Sequence, residues 1–144
     1  MSDTSALPSA GQGKTVSQML GEMTWLLSQS PLHRQLFVGD LECFLMPPLL
    51  LEQYRVFYGP DRPAAVALYA KVSEEVSQRL QAGAHKLRVD EWHSGDINWL
   101  IELIAPFGGH REIFDDIRIN LFKESGFWHH KIDESGKRSA VFVS

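Results

Sequence analysis

The chain has 144 residues, 44% of them apolar and 22% charged, with a formal net charge of -4. A chain of this length buries roughly 70% of its unfolded surface and can build one substantial core, and the composition is that of an ordinary soluble globular protein. The acidic balance, with no clustered basic face, argues against nucleic acid as the main partner, because phosphate neutralisation needs such a face. The single cysteine, Cys43, excludes an intramolecular disulfide and suits a reducing compartment. No secretory pattern opens the sequence and no apolar run approaches the ~18 residues of a membrane span, so the expected location is the cytoplasm.

Residues 1–14 are rich in Ser, Gly, Ala and Pro and lack apolar periodicity, which predicts a disordered tail; residues 15–144 are expected to form a single domain. Val16, Met19, Leu20, Met23, Leu26 and Leu27 recur at the three-four spacing of a helix face, and Pro31 ends that helix with His33 just beyond it. In "LECFLMPPLLLEQ" the Pro47-Pro48 pair breaks a continuous helix into two short turns. "YRVFYG" and "AAVALYAKV" read as strands joined at Pro60-Asp61-Arg62-Pro63.

Ser73 as N-cap, the early Glu74 and Glu75, Val76 and Leu80 four apart, and Gly83 predict a short amphipathic helix. "INWLIELIAPF" is apolar almost throughout, as a central strand covered on both faces would be. Gly108-Gly109 then turn the chain into the helical pattern "HREIFDDIRINLF", and "GFWHHKI" with "SAVFV" predicts a closing hairpin. The expected fold class is mixed α/β, with the apolar strand central in its sheet.

Six histidines invite a search for a metal site. His129 and His130 are adjacent in a predicted strand, so they point to opposite faces; His110 opens a helix after two glycines, and His85 and His93 show no ligand spacing with Cys43, so no metal site is expected. Cys43 is a candidate thiol nucleophile, but Phe44, Leu45 and Met46 around it predict a buried, inert side chain. Asp96 follows Ser94-Gly95 at the lip of the apolar strand, which is both ordinary turn chemistry and a position that delivers a carboxylate to a sheet edge. Gly108 and Gly109 are either a tight turn or a set of amides facing a phosphate or an oxyanion. On the residues alone, His33 is a polar helix end as readily as a catalytic group.

"LGEMTWLLSQSPLHR", "MPP" with "EQYRVF", "PAAVALYAKVSEE" and "WHSGDINWLIELIAPFGG" follow one another in the order seen in the RTX toxin-activating lysine acyltransferases. The resemblance covers about Leu20 to Gly109, and its specific segments are Ser30-Pro31-Leu32-His33-Arg34 and Ser94-Gly95-Asp96 followed by Trp99 and Ile104-Ala105-Pro106-Phe107-Gly108. It implies a GNAT-like fold, a central mixed sheet flanked by helices, and a cytoplasmic enzyme that moves a fatty acyl group from acyl carrier protein, the phosphopantetheine thioester donor, to an internal lysine of an RTX-type protoxin, with no bound cofactor. The family's catalytic histidine and aspartate fall on His33 and Asp96. The chain departs from its relatives in a shorter segment after the Ala-Pro-Phe-Gly motif and in Phe44, near a position where many of them carry asparagine.

Transfer to lysine needs the neutral amine, yet with an ordinary pKa near 10.4 only about one lysine in 2,500 is neutral at pH 7, a deficit of about 4.6 kcal/mol. A histidine, titrating near pH 6.5, is the side chain best matched to take up that proton. Under the resemblance His33 is the general base, Asp96 either orients it or attracts the amine, and Gly108 and Gly109 face the phosphopantetheine phosphate or the thioester oxyanion. "ECFLMPPLLL" is a candidate wall for the acyl chain, and equally plain core. Arg34, Arg55 and Arg62 are candidates for docking an acidic carrier protein. The alternatives are a GNAT-like enzyme using acyl-CoA on another amine, and a non-catalytic toxin-binding module; nothing in the sequence sets the oligomeric state, a homodimer included.

Overall fold

A computed structural model of the chain describes residues 14–123 and 125–144. The expected N-terminal tail therefore lies, apart from Lys14, outside the described residues. The elements run α1 (Val16–Gln29), α2 (Leu41–Phe44), α3 (Met46–Leu51), β1 (Tyr54–Tyr58), β2 (Pro63–Val72), α4 (Glu74–Gln81), β3 (Ile97–Ile104), α5 (His110–Asp116), a π-helical turn (Ile117–Leu121), β4 (Phe127–Ile132) and β5 (Arg138–Val143). The strands form one mixed sheet in the order β1-β2-β3-β4-β5, with β3 and β4 parallel and β4 and β5 antiparallel. The apolar β3 is thus the central strand, as expected. Parallel neighbours cannot be joined by a tight turn, and the β3-to-β4 crossover runs through α5. This mixed α/β arrangement is compatible with the GNAT-like expectation.

The described residues divide into two compact units, one comprising residues up to Ala67 with Leu103–Gly108, the other Leu68–Glu102 with Gly109–Ser144. In the first, Thr15 closes α1 with a reciprocal cap: its hydroxyl accepts from the Gln18 amide, and the Gln18 side chain accepts from the Thr15 amide. The helix buries Met19, Met23, Leu26 and Leu27 and packs against α3. Pro47 and Pro48 occupy the first turn of α3, where the missing amide donors cost nothing, and Glu52 in the left-handed region ends it. The β1–β2 hairpin closes through the Gly59 amide on the Arg62 carbonyl, 2.8 Å.

In the second unit, Ser73 caps α4 by accepting from the Val76 amide. Trp99 and Leu100, neighbours on β3 that point to opposite faces, are both buried, so the strand is covered on both sides there. The Trp99 indole N–H donates to the buried Ser77 hydroxyl of α4 at 2.9 Å, which satisfies both polar groups. Phe127 packs against Phe122 and Phe114 under the crossover.

Candidate functional site

His33 sits in the first unit. Ser30 caps the end of α1 in an extended conformation, and its carbonyl accepts the amides of both His33 and Arg34 at 3.0 Å, which wraps SPLHR into a tight turn. The same residue's buried hydroxyl lies 2.6 Å from His33 Nδ1. When Nδ1 donates to this hydroxyl, the ring's lone pair is on Nε2, the form a base needs; the opposite tautomer protonates Nε2. The Phe44 ring stands 6.2 Å from the imidazole, centroid to centroid. Leu32, Phe37 and Val38, which flank His33 along the chain, are exposed apolar side chains. Ser30 was not singled out from sequence, although a hydroxyl three residues before a histidine across a proline turn is a local signal that could have marked it.

Asp96 belongs to the second unit and is set in place by a backbone clamp. The Lys71 amide donates to the Trp92 carbonyl, and the amides of Ser94 and Gly95 return to the Lys71 carbonyl at 2.7 and 3.1 Å. Gly95 crosses the chain so closely that a Cβ would lie 2.5 Å from the Val72 carbonyl oxygen and 2.7 Å from Ser73 atoms. The Ser94 hydroxyl ties this turn together, donating to the Glu91 carbonyl and accepting from the Ser73 amide. Glu91 beneath it is buried, held by a two-pronged ion pair with Arg79 and by the Arg88 amide, and these partners depress its pKa to about 2. The Ser-Gly-Asp turn is thereby anchored from both sides, while the Asp96 side chain is exposed. Asp96 lines a cavity of about 480 Å³ in the second unit.

Gly108 is the last residue of the first unit and Gly109 opens the second segment of the second, both at positive φ, 92° and 81°. A Cβ would meet nothing within 4 Å at Gly108 and only the Ile113 side chain at 3.8 Å at Gly109, so backbone conformation rather than crowding calls for glycine. The Gly108 amide donates to the Ala105 carbonyl at 3.2 Å, and the Gly109 carbonyl accepts the Ile113 amide of α5.

Of the three candidate docking arginines, Arg62 lies over the Phe107 and Trp25 rings, 4.7 and 5.8 Å from their centroids, and Arg55 lies 5.5 Å from Phe57; Arg34 is exposed. The "ECFLMPPLLL" run divides: Leu45, Pro47, Pro48 and Leu49 are core, whereas Leu50 and Leu51 are exposed. Cys43, expected to be buried, is exposed. Helix neighbours point about 100° apart, so burial of Leu45 does not carry Cys43 inside. His129 contacts Phe114 and Phe127, while His130 contacts Trp99 and hydrogen-bonds the Leu80 carbonyl, so the pair faces opposite ways as expected; burial lowers the pKa of both. Among the described residues no group of three or more metal-ligating side chains occurs, and no helix is long and apolar enough to cross a membrane.

Over residues 12–143 the sequence matches the RTX toxin acyltransferase family. The chain belongs to that family. It is 34% identical over 109 residues, 74% of its own length and 71% of the other, to Lysine-acyltransferase RtxC of Vibrio cholerae serotype O1. It is 32% identical over 100 residues to RTX-II toxin-activating lysine-acyltransferase ApxIIC of Actinobacillus pleuropneumoniae, covering 69% of this chain and 62% of that one. Protein-lysine myristoyltransferase HlyC of Escherichia coli is 32% identical over 101 residues, 70% of this chain and 59% of the relative. The chain thus spans less than two thirds of the latter two relatives. The resemblance read from SPLHR and SGDINW is a true family relationship, and the matched region contains both motifs.

Proposed function

We propose that the chain is a protein-lysine fatty acyltransferase that takes an acyl group from acyl carrier protein and attaches it to an internal lysine of an RTX-type protoxin, in the cytoplasm. The observation that carries this is the family match across residues 12–143, with relatives named as lysine-acyltransferases. His33 is the general base. Its Nε2 takes the amine proton as the lysine nitrogen attacks the thioester carbonyl; a C–N bond forms, the C–S bond breaks, and the leaving thiolate receives the proton back. The hydroxyl of Ser30 at Nδ1 supports this role by giving the ring a partner that can hold the required tautomer.

Asp96 supplies the negative charge that stabilises a cation during transfer, the imidazolium or the incoming ammonium. Gly108 and Gly109, where the backbone is free of Cβ atoms, are assigned to the donor's phosphopantetheine phosphate or to the thioester oxyanion, a role for which the Gly108 amide would exchange its bond to the Ala105 carbonyl. The exposed apolar side chains beside His33 suit an acyl chain, each buried methylene of which contributes about 0.8 kcal/mol.

The test is substitution of both motif residues. His33→Ala and Asp96→Ala are each expected to lower the rate of acyl transfer by about 10² to 10⁴ while circular dichroism and the melting temperature stay at the parent values. Unchanged activity in both variants would reject these roles and favour a non-catalytic binding module.

A further inference from the structure

The cavity beside Asp96 has a chemistry of its own, and all of its lining belongs to the second unit. One wall is aromatic: the Trp128 and Phe142 rings meet edge to face with centroids 5.4 Å apart. Trp128 is backed by the fully buried Trp99, stacked at 5.8 Å and 13°. Phe142 lies directly on Gly126, where a Cβ would stand 2.5 Å from the ring, so the wall is built at van der Waals contact and requires that glycine. Charged side chains share the lining. Glu74 comes from the first turn of α4, Asp96 from the entry to β3, and Lys71 from the end of β2. Lys71 Nζ donates to the Asn98 side-chain oxygen at 3.0 Å, and Asn98 in turn donates to the Gly126 carbonyl at 3.1 Å, which ties this lysine to one edge of the cavity.

One fixed cation and two carboxylates leave a single negative charge in excess. Within this unit, among the described residues, the Asp96 carboxylate makes no hydrogen bond or ion pair. A volume of about 480 Å³ lies in the range of sites for small ligands, roughly 300–1,000 Å³. The complementary guest carries one positive charge at the end of an apolar stem: methylenes lie against the ring faces and the cation meets both the carboxylates and the π-surface. An anionic guest such as a phosphopantetheine would be repelled, and a purely apolar one would strip water from two carboxylates without replacing it.

We propose that this cavity is the acceptor subsite, holding a lysyl side chain with its ammonium between Glu74 and Asp96 and its methylenes over Trp128 and Phe142. That the guest is an acceptor rests on the acyl-transfer proposal; that the cavity selects an alkyl ammonium does not.

The probe is Nα-acetyl-lysine methylamide, titrated into the ¹⁵N-labelled full chain while the indole N–H resonances of its four tryptophans are followed. The Trp128 resonance is expected to move saturably. The norleucine analogue, which lacks the ammonium, should bind about tenfold more weakly. Glu74→Gln should weaken the lysine probe about fivefold, with Glu75→Gln, its neighbour outside the cavity, unchanged. Equal binding of the norleucine compound, or full affinity in Glu74→Gln, overturns the subsite.

In the acyl-transfer assay, Glu74→Gln and Phe142→Leu should raise the acceptor KM and leave the donor KM alone. If lysine is acylated and neither variant changes the acceptor KM, the subsite is wrong and acyl transfer stands. If the probe titrates Trp128 but no lysine is ever acylated, the alkyl-ammonium site stands and the acyl-transfer proposal falls.

Discussion

A hydroxyl three residues upstream sits against His33. Ser30 ends α1, shapes the turn with its carbonyl and meets Nδ1 with its side chain, so one residue both places the imidazole and gives it a partner in either tautomer. Glu91 illustrates a different residue-scale device, a buried carboxylate whose burial is tolerated because Arg79 clamps it and the Arg88 amide completes its hydrogen bonding. Its pKa of about 2 lies below the unfolded value near 4.3, so its ionised form stabilises the fold fully above pH ~4.3, and that contribution is lost as pH falls from there toward 2. Urea midpoints measured at about pH 6 and about pH 3 should therefore fall less steeply for Glu91→Gln than for the parent, while the variant is the less stable at pH 6. A parallel pH dependence in both proteins would show that the Arg79 pair contributes nothing.

At the scale of elements, much was legible because local patterns dominate. The three-four spacing of α1, the Ser73 cap of α4, the apolar run of β3 and the glycine turn into α5 each need only a few neighbours to declare themselves, and all four elements form where expected. What stayed hidden depends on closure between distant segments. Cys43 looked buried from its neighbours, but a four-residue helix presents each side chain in a different direction. The burial of Glu91 needs Arg79 twelve residues away, and the cavity lining is assembled from β2, α4, β3, β4 and β5. Gly95 marks the boundary between the two cases: its place in a turn was readable, its contact with the Val72 carbonyl was not. Gly95→Ala should destabilise the protein by about 1–3 kcal/mol and lower activity with it, because the clash is with backbone that cannot rotate away. A melting temperature equal to the parent's would show that the crossing relaxes without cost.

For the whole molecule, His33 and Asp96 stand in separate compact units, and their candidacy as catalytic residues came from motif resemblance rather than from periodicity or spacing. Both motifs lie within residues 12–143, the region that matches the RTX toxin acyltransferase family. Acyl transfer to a protein lysine is read out by intact mass spectrometry of a protoxin fragment incubated with the chain and an acylated carrier protein. The expected result is a mass increase of one acyl group per modified lysine, absent with His33→Ala and absent when the acceptor lysine is replaced by arginine. An unmodified fragment in the presence of chemically intact acyl-carrier thioester, or modification that proceeds only from acyl-CoA, would contradict it.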